Sequence, residues 1–195
     1  MVDIDLKFPH SYEIEEIPEL PGAGNFDVPV HYFPNTKTRP EHDGIWLRVR
    51  QATGQSWIGV FDFGFGTISR VISTPAEDRV CVVSRGAAYI VEADKPGNWE
   101  LLHALPVRDV RVIQEHQLIV FADFTRLIAY GNNQLAWKSP RLCWDDLQIV
   151  CVNGNKIEGV GSDPTNSGYS SFSVDIRTGK SLFPEPVSIE GKPVW

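Results

Sequence analysis

Apolar positions along the chain fall in short alternating or continuous runs and never recur every three or four residues over a helical length. Residues 45–50 (IWLRVR) and 57–63 (WIGVFDF) read as two strands around a turn at Gly54. Further strands are predicted at 80–83 (VCVV), 88–91 (AYIV), 110–113 (VRVI), 118–121 (LIVF), 127–130 (LIAY), 147–152 (LQIVCV), 156–160 (KIEGV) and 171–175 (SFSVD). Turn residues separate them: Arg85-Gly86, Gly131-Asn132-Asn133 and Asn153-Gly154-Asn155. Asn-Gly between apolar runs is a hairpin signal, because the favoured two-residue turn needs positive φ at both central positions. At most one short helix is expected, and the fold class is all-β.

The first forty residues have a different texture. Pro9, Pro18, Pro21, Pro29, Pro34 and Pro40, with Gly22 and Gly24, remove ladder donors and fix φ, so the segment is predicted to contain edge strands at most. Phe8, Tyr12, Ile14, Ile17, Leu20, Phe26, Val28, Tyr32 and Phe33 give it apolar groups to pack. The expected organisation is a Pro-rich arm over residues 1–44, lying on a single all-β repeat domain over residues 45–195.

Composition supports the strands. Val and Ile number 35 against 22 for Leu and Ala, and β-branched side chains suit a pleated sheet. With 42% apolar and 22% charged residues, disorder, a coiled coil and helical membrane spans are excluded. The net charge of −7 is concentrated: residues 1–27 hold seven carboxylates against Lys7. No basic stripe is present, which disfavours nucleic acid and anionic membrane surfaces as partners. The start lacks a basic segment followed by an apolar run, and the three cysteines lack C-x-x-C spacing, so a reducing cytoplasmic location is expected. Cys81 and Cys151, inside apolar runs, are predicted to be buried thiols.

The strand pattern repeats. A shift of 38 residues carries Ile72 onto Val110, residues 80–83 onto 118–121, and Tyr89 onto Leu127. A second shift of 38 to 39 reaches residues 147–150 and 157–160. A period near 40 with about four strands is the signature of a propeller blade. The run from Ser173 to Phe183 resembles the Ala-x-Asp-x-x-Thr-Gly-Lys-x-x-Trp blade motif of quinoprotein-type β-propeller repeat proteins. Asp175, Thr178, Gly179 and Lys180 match, Ser173 stands at the alanine and Phe183 at the tryptophan. Residues 129–137, ending at Trp137, look like a shortened copy, and residues 90–101 like a poorer one. The resemblance covers roughly residues 68–186. It implies a turn closed by the Asp and Thr-Gly, with the aromatic docked on a neighbouring blade. Three to four such units make a miniature or incomplete propeller, or one completed by self-association into a homo-oligomer; an antiparallel barrel or sandwich is the fallback. No residue carries over a quinone or its calcium, and no cofactor is expected.

Signatures of catalysis are missing. There is no G-x-S-x-G elbow and no G-x-G-x-x-G at a strand-to-helix junction. In Phe63-Gly64-Phe65-Gly66 the glycines suit a bend or a close backbone approach. His31 with Glu41-His42-Asp43 offers metal-ligand chemistry without metal-ligand spacing, so no metal is expected. Candidate ligand-binding residues are Trp144 and Asp145, beside Asp146 before a strand, and Asp163, Asn166 and Tyr169 in the polar insertion 161–169. An Asx-capped turn is the simpler role for residues 163–166, and packing between units the simpler role for Trp144. The preferred reading is a non-catalytic domain that binds a protein or a small polar ligand. Two alternatives stand beside it. One is a hydrolase of a sugar or lactone-like substrate using Asp145, Asp163 or Asp175. The other is a cytoplasmic inhibitor or immunity-type protein that docks through its acidic arm.

Overall fold

In a computed structural model the residues described are 2–18, 26–34, 43–132, 134–166 and 168–182. Leu20, Pro21, Gly22, Gly24, Pro40, Glu41, His42, Asn133 and Phe183 lie outside them, as does the side chain of Asn166. All ten predicted strands form; among the described residues there are sixteen strands, and the only helical turns are single 3₁₀ turns at Gln114–His116 and Pro164–Asn166.

Four open sheets follow one another along the chain. The first contains β2 (Tyr12–Glu16), β3 (Val30–Phe33), β4 (Gly44–Gln51) and β5 (Ser56–Asp62) in the order β2-β4-β5-β3. The second runs β1-β6-β7-β8-β9, with β1 (Asp3–Asp5), β6 (Arg70–Ser73), β7 (Arg79–Ser84), β8 (Ala87–Glu92) and β9 (Trp99–Leu101). The third is the meander β10 (Asp109–Ile113), β11 (Leu118–Ala122), β12 (Leu127–Tyr130) and β13 (Leu135–Lys138). The fourth is β14 (Asp145–Asn153), β15 (Lys156–Asp163) and β16 (Gly168–Asp175). The Pro-rich N-terminal region supplies edge strands: β1 pairs in parallel with β6, β2 antiparallel with β4, and β3 in parallel with β5.

The sheets stack in a row, because strand residues alternate between two apolar neighbours. Val80, Val82, Tyr89 and Val91 of the second sheet face Leu47, Val49, Trp57 and Phe61 of the first. Their sequence neighbours Cys81, Val83, Ala88 and Ile90 face Ile119, Phe121, Ile128 and Tyr130 of the third. Leu118, Val120, Leu127 and Ala129 then face Leu147, Ile149, Ile157, Phe172 and Val174 of the fourth. None of these three cores joins the fourth sheet to the first.

This alternation separates two possible offsets between the second and third sheets. A shift of 38 aligns strand with strand, but a one-residue offset turns every side chain to the opposite face. Equivalent faces of the second and third sheets are related by 39: Val71 to Val110, Cys81 to Val120, Ile90 to Ala129.

Polar stitches recur across the cores. Arg70 Nη1 donates to the Val110 carbonyl (3.3 Å), and Arg111 Nη2 to that of Ile149 (2.9 Å), one sheet further on. Trp57 Nε1 donates to Ala93 and Trp137 Nε1 to Ile176, both at 2.8 Å. Beyond β16, Asp175 Oδ1 accepts the amides of Arg177 and Thr178 and the Thr178 hydroxyl. This turns the chain into Gly179, whose φ is +70° and which lies against the Trp137 ring.

Cys81 is buried, but Cys151 is exposed, contrary to its apolar surroundings in sequence. A register shift between Ile149 and Cys151 resets the alternation and sets Cys151 opposite Glu158. Its thiol donates to that carboxylate, which raises the thiol's pKa.

Candidate functional site

The hairpin tips β7–β8, β11–β12 and β15–β16 lie at one end of the row, where the segments linking successive sheets also cross. Gly64 N donates to Ser84 O and Gly66 N to Arg85 O. Val107 N donates to Gly86 O, and Arg108 N to Ala122 O. Leu142 N donates to Thr125 O, and Trp144 N to Ser162 O. Glycine is required where these connectors meet the tips. A Cβ on Gly64 would sit 2.7 Å from Ala87 N, and one on Gly66 3.0 Å from the Gly86 Cα. This is the close backbone approach expected of Phe63-Gly64-Phe65-Gly66.

The connector end holds every exposed aromatic side chain among the described residues: Phe63, Phe65, Phe124, Trp144 and Tyr169. Phe65 is 95% exposed, Trp144 and Tyr169 57% each, and Leu105 on the middle connector is 50% exposed. Three guanidinium groups lie over these rings: Arg85 on Phe63 (5.2 Å to the centroid), Arg108 on Phe124 (4.8 Å) and Arg141 on Trp144 (4.9 Å). Such pairs contribute about 0.5–1 kcal/mol each at exposed sites.

At the junction of the third and fourth sheets, Asp146 organises the surface. Its carboxylate accepts from Arg108 Nη2 (3.2 Å), Gln148 Nε2 (3.1 Å) and the Tyr169 hydroxyl. The carboxylate acceptor holds the Tyr169 phenol above its ordinary pKa. Asp146 sits at φ +52° and Arg85 at φ +44°, both left-handed conformations uncommon for residues with side chains. Both belong to this end of the molecule.

The residues singled out in the sequence are therefore only partly gathered. Trp144, Asp145 and Tyr169 share the surface, and Asp163 lies at its margin. Asp145 Oδ1 accepts the Asp146 amide. Asp163 accepts the Thr165 amide and hydroxyl and the Ser170 hydroxyl, which makes it the cap of its own turn. Asp175 lies at the opposite end of β16. Register places Asp163 beside Gly168 and Asp175 beside Lys156, so the two carboxylates are about 23 Å apart along the strand. His31 packs edge-on to Trp57 at 5.6 Å, and burial lowers its pKa. Among the described residues no three His, Cys, Asp or Glu side chains gather as metal ligands, and no helix is long and apolar enough to cross a membrane.

Phe63, Phe65, Arg85, Arg108, Phe124 and Arg141 were not recognisable one at a time. One local signal existed. Arg85-Gly86 is a two-residue turn whose first position favours Asn or Asp, and an arginine is there instead. Neither a family model nor a curated protein matches the chain.

Proposed function

We propose that this chain is a non-catalytic binding domain, an open propeller-like row of sheets that engages a protein partner through its connector end. The observation that carries the reading is the collection at one end of all five exposed aromatic rings among the described residues, three of them under guanidinium groups. Aromatic residues and arginine are the types enriched where proteins bind one another, because they present large rigid contact area together with a polar handle. The propeller-like description draws support from the recurring Arg and Trp stitches and from Trp137 seated on Gly179.

The alternatives draw less support. The carboxylates considered for hydrolysis are spent on turns, and Asp163 and Asp175 lie at opposite ends of the β15–β16 pair. Four of the seven carboxylates of the acidic arm are paired within the chain: Asp3 and Asp5 with Arg70, Glu13 with Arg50 and Asp27 with Arg48.

The test is site-specific photo-crosslinking in extract of the organism that encodes the chain. Benzoylphenylalanine in place of Phe65 is expected to capture one discrete protein, competed away by unlabelled chain. The same probe in place of Asn155, at the opposite end, is expected to capture none. Equal capture from both positions, or none from either, overturns the proposal.

A further inference from the structure

Most of the described arginines are paired with a carboxylate. With 25 acidic against 18 basic residues, acid is in excess. Arg48, Arg50, Arg70, Arg79, Arg108 and Arg111 all form ion pairs. Arg177 lies close enough to Asp175 to help lower its pKa. Among the described arginines, Arg85, Arg126, Arg141 and Arg177 form no ion pair; the first three lie at the connector end, and Arg177 stands in the turn after β16.

Their positions are related by the fold. Arg85 occupies the β7–β8 tip and Arg126 the β11–β12 tip, with Arg108 on the connector between them. Phe63, Phe65, Leu105 and Phe124 are the exposed apolar groups around these tips. Acid is present but placed differently. Asp123, at the third-sheet tip, accepts the amides of Thr125 and Arg126 on Oδ1, and Asp109, opposite Ala122 at the same tip, is paired with Arg111 at 3.0 Å. Asp43 and Asp62 lie out toward the first sheet, and Asp145, Asp146 and Asp163 toward the fourth. The centre of this end is thus basic and aromatic, with acidic flanks.

Resting on the binding reading above, we infer that the partner presents a short acidic segment carrying apolar side chains, laid across the tips of the second and third sheets. Partner carboxylates meet Arg85, Arg126 and the free edge of Arg108, while partner apolar groups cover Phe63, Phe65, Leu105 and Phe124. Guanidinium forks donate to carboxylates in two-point contacts, and seating on an aromatic ring orients the fork beforehand. The acidic flanks disfavour a polyanion that runs the full length of the row, so a nucleic-acid strand fits this charge pattern worse than a short peptide does.

The experiment is selection of a displayed random-peptide library on the whole folded chain, followed by anisotropy titration of the enriched peptides. Expected are sequences in which Asp or Glu alternates with Phe, Trp or Leu. Their affinity should fall about tenfold or more for Arg85→Glu and for Arg126→Glu, and recover when the matching peptide acid is replaced by Lys. Both sites are at hairpin tips, and unchanged circular dichroism will show that the variants fold. Enriched peptides that are neutral or basic, or indifferent to both variants, overturn the acidic-partner inference and leave the binding reading standing. So does single-stranded DNA that binds more tightly than any enriched peptide. No enrichment together with no crosslinking from position 65 overturns both.

Discussion

Asp175 and Gly179 show how few atoms hold one sheet of the row to the next. The Asp175 carboxyl accepts three hydrogen bonds from its own turn, and the Thr178 hydroxyl is the main reason its pKa lies below the ordinary aspartate value. A carboxyl with a depressed folded-state pKa stabilises the fold above its unfolded-state pKa, and that contribution is lost as pH falls through the folded value. Asp175→Ala should therefore lower the urea midpoint at neutral pH. The gap to the parent chain should close as pH drops below the usual aspartate range; a gap constant with pH would mean that the ionised carboxylate is not what holds the turn. Gly179 is constrained twice. Its φ of +70° disfavours any side chain, and a Cβ would sit 2.5 Å from Cε3 of Trp137. Left-handed strain alone costs about 1–2 kcal/mol. The ring is pinned by its own bond to Ile176 O at 2.8 Å and cannot retreat freely. Gly179→Ala should then cost about 2 kcal/mol or more, read as a lower midpoint at unchanged denaturant slope. A loss under 0.5 kcal/mol would show that the indole is not docked on this glycine.

Among the elements, β1 to β3 show best what a sequence can and cannot reveal. The strands at 45–50, 80–83 and 118–121 are legible because alternation is a local property, and the Arg85-Gly86 and Asn153-Gly154 turns are legible because positive φ selects glycine. β1 and β3 are not: each pairs in parallel with a strand that only the whole fold brings near, Asp3 opposite Arg70 and Val30 opposite Ile58. The candidate surface divides the same way. Trp144, Asp145 and Tyr169 are legible as loop chemistry around one sheet, whereas Phe63, Arg85 and Phe124 come from separate connectors and tips that meet only after the sheets stack. The N-terminal segment is also more structural than its proline content suggests. Phe8, between β1 and β2, is 1% exposed in the core shared by the second and third sheets, and its amide donates to Ser73 Oγ at 2.9 Å. Large-to-small changes of buried phenylalanine cost about 3–5 kcal/mol. Phe8→Ala should fall in that range in urea denaturation, and a change below 1 kcal/mol would mean that the segment lies on the domain without being part of it. Truncation of residues 1–27 would accordingly remove core along with charge.

For the whole molecule, the number of neighbours each sheet has decides how it opens. In a closed ring every sheet is covered on two faces, and no end exists from which to fray. In this row the second and third sheets are buried on both faces, while the fourth has one apolar core and an outward face with Gln148, Cys151, Tyr169 and Ser171 exposed. The first sheet also has one such core, but Ile58 and Val60 on its other face are fully buried, and Phe26 stacks on Trp46 there at 5.7 Å. Stacked repeats gain stability mainly from contacts with immediate neighbours, so the unit with one interface opens at lower free energy than those with two. Hydrogen exchange followed by mass spectrometry through a urea series should find amides of β14 to β16 exchanging by a partial opening, below the denaturant that releases β7, β8, β11 and β12. Removing an anchor of the third core, as in Ile157→Ala, should lower the opening free energy of the fourth sheet and leave the β7–β8 amides nearly unchanged. Simultaneous release of all four sheets in the parent chain would mean that the row behaves as one closed cooperative unit. The connector end would then be the rim of a ring, with the fourth sheet as firmly held as the second.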